Sequence, residues 1–353
     1  MPKFHLLPTL AALVALLAAP GPSPHAETLV VANKGEATVS LIDLKSGAVA
    51  ATLPTGEGPH EVATSLDGAR AVITDYGNRE AGPGSSLTLI DIAGATVLKT
   101  VDLGEYTRPH GIAWLDAERL AVTAEGQKAL LVVNMESGTV ERAIQTGQEI
   151  SHMLALSTDK RRAFIANIGS GSLTVIDLVK GEKVADIKTG DGAEGVAVTG
   201  DQVWVSNRAA DTITVLDAGS LEVKKDFASA GFPIRAVATP DGAGVLVTHA
   251  RAGDLAIYDP AKLGEGRRVE LGISMKDVEN RLFGDRFGDS SVPIGVAVDA
   301  ASSRAWVAHA NADILTEHKL PSGDMVRRLE AGREPDGMAF SPVTVRVKKP
   351  ETP

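Results

Sequence analysis

The chain has 353 residues, no cysteine and a formal net charge of −10 at pH 7. The absence of cysteine excludes disulfides, thiolate metal sites, covalent haem attachment through cysteine and a lipid anchor on cysteine. The acidic surplus and the lack of a lysine- or arginine-rich tract argue against nucleic acids and anionic membrane surfaces as partners.

The first 26 residues are typical of a secretory signal peptide. Lys3 supplies positive charge, Leu10 to Ala19 form an apolar stretch, and Ala26 is a small residue before a plausible cleavage site. This stretch is too short to span a bilayer, and no later apolar run is long enough. We therefore expect a periplasmic or secreted protein with no membrane span.

From residue 27 onward the sequence repeats a pattern about every 40 to 50 residues. A turn leads into an apolar or β-branched run that ends at a polar residue, as in SLDGARAVITD at 65–75, STDKRRAFIAN at 157–167 and TPDGAGVLVTH at 239–249. A second run ending in aspartate follows, as in LTVID at 173–177, and a glycine opens a last run. Alternating apolar and polar residues predict strands with one buried face. Four strands per unit match one propeller blade.

The repeat predicts an all-β fold, a seven-bladed β-propeller. First strands of six complete units start near Glu61, Gly111, Met153, Gly195, Ala236 and Gly295. Residues 28–56 supply three further strands, and residues 334–343 supply a single first strand. Joining the termini completes blade one and closes the ring. The predicted propeller is a single domain over 27–343, followed by a solvated tail over 344–353.

The repeat elements resemble the YVTN-type, YncE-like propeller repeat. The resemblance rests on Pro-x-x-Val-Ala-x-Ser-x-Asp-Gly, as at 59–68, followed by Val-x-x-Asn and Thr-Val-x-x-Ile-Asp. It covers essentially the whole chain after the leader and implies the fold. Similar repeats occur in lactonases, streptogramin lyases, amine dehydrogenase subunits, haem-d1 and nitrous-oxide reductase domains and periplasmic metal chaperones. The fold alone therefore leaves the activity open.

Two positions of the repeat concentrate ionisable side chains. The start of strand one and the end of strand two lie on the same face of the disc, because strand one runs out and strand two returns. From blade two onward, with blade one last, the first position holds His60, His110, His152, Glu194, Arg235, Ile294 and Asp336. The second position holds Asp75, Glu125, Asn167, Asn207, His249, His309 and Asn33. Five of the six histidines after residue 26 lie here, and only His318 lies elsewhere. We predict a ligand-binding face at one mouth of the channel.

Three of these histidines are candidate metal ligands. His60, His110 and His152 occupy equivalent places on consecutive blades, and imidazole is a good ligand for zinc, copper and iron. Glu194 on the next blade is a candidate fourth ligand. The alternative is turn chemistry, in which each imidazole bonds a nearby backbone carbonyl.

Other charged residues at these positions have candidate supporting roles. Asp75 and Glu125 are placed to orient the imidazoles, and Arg235 is suited to binding a carboxylate or phosphate. The same set suits acid–base chemistry, because histidine titrates near neutrality.

Three functions are consistent with this pattern. The first is a binding or scaffold protein that presents the histidine-rich face to a transition metal, a small anionic ligand or a periplasmic protein partner. The second is a lactonase- or lyase-like enzyme using the same face, although no nucleophile–base–acid set is identifiable. The third is a protein-interaction platform without a small ligand.

Two insertions interrupt the repeat on the histidine face. The longer, 264–293, contains a segment over 274–289 in which Phe283 and Phe287 supply apolar contacts. It is either a mobile lid over the mouth or a passive surface loop. The shorter, 76–85, is rich in glycine and proline and gives no chemical indication.

Overall fold

The computed structural model describes Met1 and residues 27–276, 281 and 283–346. Within this part of the chain there are 28 β-strands and one 3-10 helix, Lys34–Glu36, and the strands form seven four-stranded antiparallel sheets. The first strands of successive sheets contact one another in order, so that the sheets are blades around one axis. The predicted seven-bladed β-propeller is confirmed.

The strands are numbered in chain order. Blade one consists of β28 (Pro335–Ser341), β1 (Thr28–Asn33), β2 (Thr38–Asp43) and β3 (Val49–Pro54). Blade two consists of β4 (Pro59–Thr64), β5 (Arg70–Asn78), β6 (Gly82–Asp91) and β7 (Thr96–Asp102). Blade three consists of β8 (Pro109–Trp114), β9 (Arg119–Ala124), β10 (Ala129–Asn134) and β11 (Thr139–Gln145). Blade four consists of β12 (Ser151–Leu156), β13 (Arg162–Asn167), β14 (Ser172–Asp177) and β15 (Glu182–Lys188).

The remaining blades follow the same order from the axis outward. Blade five consists of β16 (Ala193–Thr199), β17 (Gln202–Asn207), β18 (Thr212–Asp217) and β19 (Val223–Ala228). Blade six consists of β20 (Pro233–Ala238), β21 (Val245–His249), β22 (Asp254–Tyr258) and β23 (Gly266–Glu270). Blade seven consists of β24 (Pro293–Val298), β25 (Arg304–His309), β26 (Ile314–Lys319) and β27 (Met325–Glu330).

The core lies between neighbouring blades, in the second and third strands of each sheet. In β13 and β14, ten of the twelve residues are buried, whereas β15 is largely exposed. The prediction of one buried face per strand was wrong for these middle strands, because each blade is covered on both sides by its neighbours. Fully covered strands accept continuous apolar runs in place of alternation.

The recurring aspartates of the repeat stabilise turns. Asp67 Oδ1 accepts hydrogen bonds from the Ser65 hydroxyl at 2.6 Å and the Ala69 amide at 3.0 Å. Asp177, at the end of a third strand, accepts the amides of Val179 and Lys180, each at 2.9 Å. Aspartate carboxylates commonly replace backbone partners in this way. These hydrogen bonds explain why aspartate recurs in the repeat.

The C-terminal strand β28 closes the ring as predicted. It pairs with β1 in antiparallel register, with Leu29 opposite Phe340 and Val30 opposite Ala339. Its contacts extend past its end, because the Thr28 hydroxyl donates to the Val343 carbonyl at 2.6 Å. Val345, which the sequence assigned to a solvated tail, is 5% exposed and packs in a core cluster between blades one and two.

The two ends of the chain lie mostly outside the described residues. These include 2–26, which contain nearly all of the predicted signal peptide, and 347–353 of the predicted tail. The leader therefore stays a prediction. No helix in the described part is long and apolar enough to cross a membrane.

Glycines at the axis let neighbouring first strands come close together. A Cβ on Gly111 would lie 2.6 Å from the His152 carbonyl oxygen, and one on Gly295 would overlap the Asp336 carbonyl oxygen. Contacts of this length exclude any side chain at these positions. The residue before each glycine is thereby brought next to its counterpart on the adjacent blade.

Candidate functional site

Seven side chains, one from each blade, form a buried ring around the axis. Each follows the first residue of an innermost strand, and each is at most 8% exposed. From blade one to blade seven this axial ring consists of Asp336, His60, His110, His152, Glu194, Ile234 and Ile294. The three predicted histidines and Glu194 are therefore brought together, and the five ionisable members are consecutive.

The register of blade six corrects the predicted position of Arg235. Pro233 pairs with His249 and Ala236 with Val247, just as Pro59 pairs with Asp75 and Val62 with Ile73 in blade two. The equivalent of His60 is therefore Ile234. Arg235 is equivalent to Glu61, one residue deeper in the channel.

A rim of seven side chains lies directly above the axial ring. In each blade, the rim residue comes directly after the last residue of strand two that pairs with strand one. The rim residues are Lys34, Tyr76, Glu125, Ile168, Arg208, Ala250 and Ala310. The prediction had placed Glu125 at the end of strand two, but Ala124 pairs with Pro109 there and Glu125 is one residue beyond. This shift points Glu125 into the mouth instead of into its own blade.

The ring and rim enclose a mouth cavity of about 270 Å³. Lys34, Tyr76, Glu125 and Arg208 from the rim line it together with most of the axial ring. The insertion at 76–85 therefore does contribute a chemical group, because β5 and β6 extend as a hairpin that carries Tyr76 to the cavity. The Tyr76 hydroxyl donates to Glu125 Oε2 at 2.6 Å.

His152 lies between two carboxylates. Its Nδ1 is 2.5 Å from Glu125 Oε1 and its Nε2 is 3.3 Å from Glu194 Oε1. Burial opposes a charge on His152, but the two carboxylates outweigh this effect and raise its pKa. Glu194 is also paired with Arg208, whose Nη1 lies 2.5 Å from Oε2. Glu125 thus contacts the His152 imidazole, whereas the hydrogen bonds of Asp75 go to Ser86, Thr88 and the Gly56 amide.

His60 has a different environment. Its Nδ1 is 3.0 Å from Asp336 Oδ2, and the Lys34 ammonium donates to its Nε2 at 2.8 Å. Burial and the Lys34 charge lower the pKa of His60 to about 4, in spite of Asp336. The His60 imidazole is therefore neutral, and its Nε2 accepts a hydrogen bond from the charged Lys34 ammonium.

Among the described residues, His110 has no hydrogen-bond partner. It is 0% exposed, and neither Nδ1 nor Nε2 is hydrogen-bonded in this part of the chain. Its ring lies between the other two imidazoles, with centroids 4.1 Å from His60 and 3.5 Å from His152. Burial and the neighbouring His152 hold the pKa of His110 well below its usual range. Two unpaired nitrogens in one buried side chain are costly, and such groups are rare in native proteins.

Glu61 is a functional residue that the sequence reasoning missed. Its Oε1 is 2.5 Å from Arg235 Nη2, and this nitrogen is 3.4 Å from Asp336 Oδ1. Burial raises the pKa of Glu61 to about 7 against the effect of Arg235. The sequence did contain an indication. Blades three, five, seven and one have glycine at the position equivalent to Glu61, so a glutamate there is unusual.

The Glu61–Arg235 pair divides the channel. Above it is the mouth cavity, and below it is a far cavity of about 350 Å³ that Glu61 also lines. Arg235 lines both cavities. The pair is nearly fully buried and lies between a mouth lined by most of the ionisable residues and a far cavity lined mainly by aliphatic residues.

Hydroxyl groups fix the backbone of the axial ring. Thr123 accepts the Gly111 amide at 2.8 Å and donates to the His152 carbonyl at 2.6 Å. Thr248 likewise donates to the Ile294 carbonyl at 2.8 Å. Each hydroxyl links two neighbouring blades, so the imidazoles are held on a rigid frame.

Asp75, His249 and His309 are not brought to the mouth. Asp75 accepts hydrogen bonds from Ser86 and Thr88 within its own blade, and burial raises its pKa to about 6. His249 contacts Asp254 at 3.0 Å in blade six. None of the three lines the mouth cavity. The expectation that both repeat positions face the mouth was wrong, because side chains at the paired end of strand two turn into the blade.

His309 should make stability depend on pH. Its nitrogens contact Ser291 Oγ at 2.7 Å and Thr316 Oγ1 at 2.9 Å, and burial and His318 lower its pKa to about 3. Unfolded histidine binds a proton near pH 6.5, so stability attributable to His309 is complete above that pH and is lost as pH falls towards 3. Between pH 6 and 4, we expect His309→Gln to reduce the slope of unfolding free energy by about 1.4 kcal/mol per pH unit. Urea unfolding at pH 4, 5 and 6 measures this, and parallel slopes for the two proteins would contradict it.

The described residues of the long insertion lie on the same face as the axial ring. Phe283 lines the mouth cavity and packs with Phe232 and Phe287, with ring centroids 4.9 to 5.9 Å apart. Ser274 and Ser290 form a β-bridge at its base. Residues 277–280 and 282 lie outside the described part, so the predicted mobility of 274–289 stays a prediction.

A family model for YncE-like β-propellers matches residues 122–286. The resemblance inferred from the repeat is thereby confirmed, together with the propeller architecture. No curated protein matches the sequence.

Several solved structures are similar in fold. Hydrazine synthase from Kuenenia stuttgartiensis has a TM-score of 0.65 at 20% identity, covering 81% of this chain and 90% of that one. A functionally unknown protein from Desulfotomaculum acetoxidans has a TM-score of 0.72 at 12% identity, covering 90% and 99%. Dihydro-heme d1 dehydrogenase NirN, in complex with DHE, has a TM-score of 0.64 at 14% identity, covering 92% and 77%. At these identities the likeness extends to the fold alone.

Proposed function

We propose that this YncE-like, seven-bladed propeller is a periplasmic or secreted binding protein that holds one transition-metal ion in its axial ring. The observation that carries the proposal is His110, which is fully buried with both nitrogens unpaired between two other imidazoles. If His110 only stabilised a turn, one of its nitrogens would be hydrogen-bonded to a nearby backbone carbonyl. A metal ion is the partner that three adjacent imidazoles suit best.

Two overlapping sets of ligand atoms include His110. One set is His60, Glu61 and His110, and the other is His110, Glu125 and His152. In each set one ligand atom per residue lies within 4.8 Å of the others. Ligand atoms around tetrahedral zinc are about 3.4 Å apart, because zinc–nitrogen distances are about 2.0–2.1 Å. Either set is near this spacing, and an ion bound there would replace hydrogen bonds or ion pairs that its other members now make.

The charge balance of the site favours a cation. Four buried carboxylates, those of Glu61, Glu125, Glu194 and Asp336, face three permanent cations, Lys34, Arg208 and Arg235. When Glu61, whose pKa is about 7, is ionised, one negative charge is left over unless His152 carries a proton. Buried charges require compensation, and a metal ion bound in place of that proton supplies it.

The same contacts argue against an anion as the primary ligand. Lys34, Arg208 and Arg235 each lie within 4.0 Å of a carboxylate oxygen already. An incoming anion would have to break these pairs, and breaking a buried pair is strongly unfavourable. The metal therefore accounts for the site better than a phosphate or carboxylate alone.

Metal analysis and titration test the proposal. Protein produced without a histidine tag should retain, or take up after chelation and dialysis, one ion per chain of zinc, copper or iron(II). The control is His318→Gln, since His318 is buried in blade seven away from the ring. A wild-type protein that binds none of these ions at pH 7.5 would refute the proposal.

A further inference from the structure

The mouth cavity has one polar and one apolar side. The ionisable members of the axial ring come from blades one to five, whereas blades six and seven contribute Ile234 and Ile294. Above these two residues the rim positions of blades six and seven are Ala250 and Ala310, which are also apolar. A bare ion needs ligands on the polar side and makes no use of the apolar wall.

The long insertion completes this apolar wall. Phe283 lines the cavity and is supported from behind by Phe232 and Phe287. The support is fixed to the ring of blades, because Arg281 Nη1 donates to the Ala310 carbonyl at 3.1 Å and Asn311 donates to the Gly284 carbonyl at 3.2 Å. An anchored aromatic wall beside a polar cluster is typical of small-molecule sites.

The charge of the metal-loaded site indicates the sign of the missing ligand. A bound divalent ion favours the ionised form of Glu61 and neutral imidazoles. Four carboxylates then face three permanent cations and two metal charges. One positive charge is then in excess. An anionic donor group that binds the metal would restore neutrality.

We propose that the metal-loaded mouth cavity binds a small organic carboxylate with an apolar body, its carboxylate on the ion and its body against Ile234, Ile294 and Phe283. This inference rests on the proposed metal site. A volume of about 270 Å³ accommodates an arylalkanoate. The ligand class is therefore a medium-sized apolar acid.

A homologous series of carboxylates tests this inference. Zinc-loaded protein is titrated calorimetrically with acetate, butanoate, phenylacetate and 3-phenylpropanoate. Each methylene that enters the apolar side should tighten binding about fourfold, and the phenyl compounds should bind at least about 30-fold more tightly than acetate. The metal-free protein should bind all four weakly and with no such trend.

One variant and a matched control locate the apolar body. Phe283→Ala should lower phenylpropanoate affinity about tenfold while leaving zinc and acetate binding unchanged. Phe227→Ala is the control, because Phe227 is also a partly buried phenylalanine but packs in blade five and does not line the mouth cavity. Zinc binding with equal affinities along the series would overturn this inference and leave the metal site standing. A protein that binds no zinc overturns both.

Discussion

A chain that ends at residue 332 is expected to lose cooperative unfolding at the temperature where the full-length protein melts. The truncation removes β28, the innermost strand of blade one, in which Pro335 to Met338 are all buried. It also exposes the pairing edge of β1 and removes the innermost contacts of blade one with blades seven and two. The expected loss in unfolding free energy is at least about 5 kcal/mol, comparable with the whole stability of many domains.

A second truncation serves as the control. A chain that ends at residue 346 keeps every described contact of the C-terminal segment, including the Arg346 amide that donates to the Ala93 carbonyl at 2.8 Å. It should melt within about 2 °C of the full-length protein, because it removes none of the described contacts. Thermal melts followed by circular dichroism compare the three chains. If the chain ending at 332 melts with the other two, the ring is not closed by β28.

The fold could be predicted because its determinants recur. Two kinds of turn aspartate recur in successive units, one between strands one and two, such as Asp67, and one at the end of strand three, such as Asp177. Their hydrogen bonds are local. Ring closure was also predictable, since one terminus lacked a strand that the other supplied. A single blade cannot bury its apolar faces alone, so repetition itself implied the closed architecture.

The candidate site could be predicted only in part, because it depends on single-residue register. In each first strand the pairing register with strand two shifts after the first residue. The sequence does not show where this shift occurs, so it does not show which residue faces the mouth. Arg235 and Glu125 were each placed one position away from their true places for this reason. Glu61 was missed because it lies beside His60 at a position that is usually glycine.

The histidines illustrate the same limit. His249 and His309 occupy the end of strand two in the repeat, where the sequence cannot distinguish a group facing the mouth from one facing the blade. In the structure both bond to side chains of their own blade, His309 to Ser291 and His249 to Asp254. Only three-dimensional contacts separate these paired histidines from the unpaired His110.

Replacing His110 by leucine is expected to abolish metal binding and to stabilise the metal-free protein. The substitution removes two unpaired buried nitrogens, each of which costs free energy in the absence of a ligand. Leucine has a similar volume and is suited to the buried position. The unfolding free energy of the metal-free variant should therefore rise by about 1–3 kcal/mol. Zinc affinity should fall by more than about 100-fold, since even neighbours of ligands are worth 10- to 100-fold.

The same substitution at His152 should have the opposite effect on stability. His152 is stacked on His110 at 3.5 Å and is buried to a similar extent, but it is paired with Glu125 and Glu194. His152→Leu leaves both carboxylates short of a partner and should cost about 3–5 kcal/mol. The two variants thus separate a histidine kept for a ligand from one that also holds the ring together.

Denaturant unfolding of both metal-free variants, with and without added zinc, measures these effects. Zinc should stabilise the wild type, because a ligand that binds only the folded state raises the unfolding free energy, and should stabilise neither variant. If His110→Leu destabilises the metal-free protein as much as His152→Leu does, His110 has a structural role. The case for a ligand at the axis would then fail, since no other histidine of the axial ring lacks a partner in the described structure.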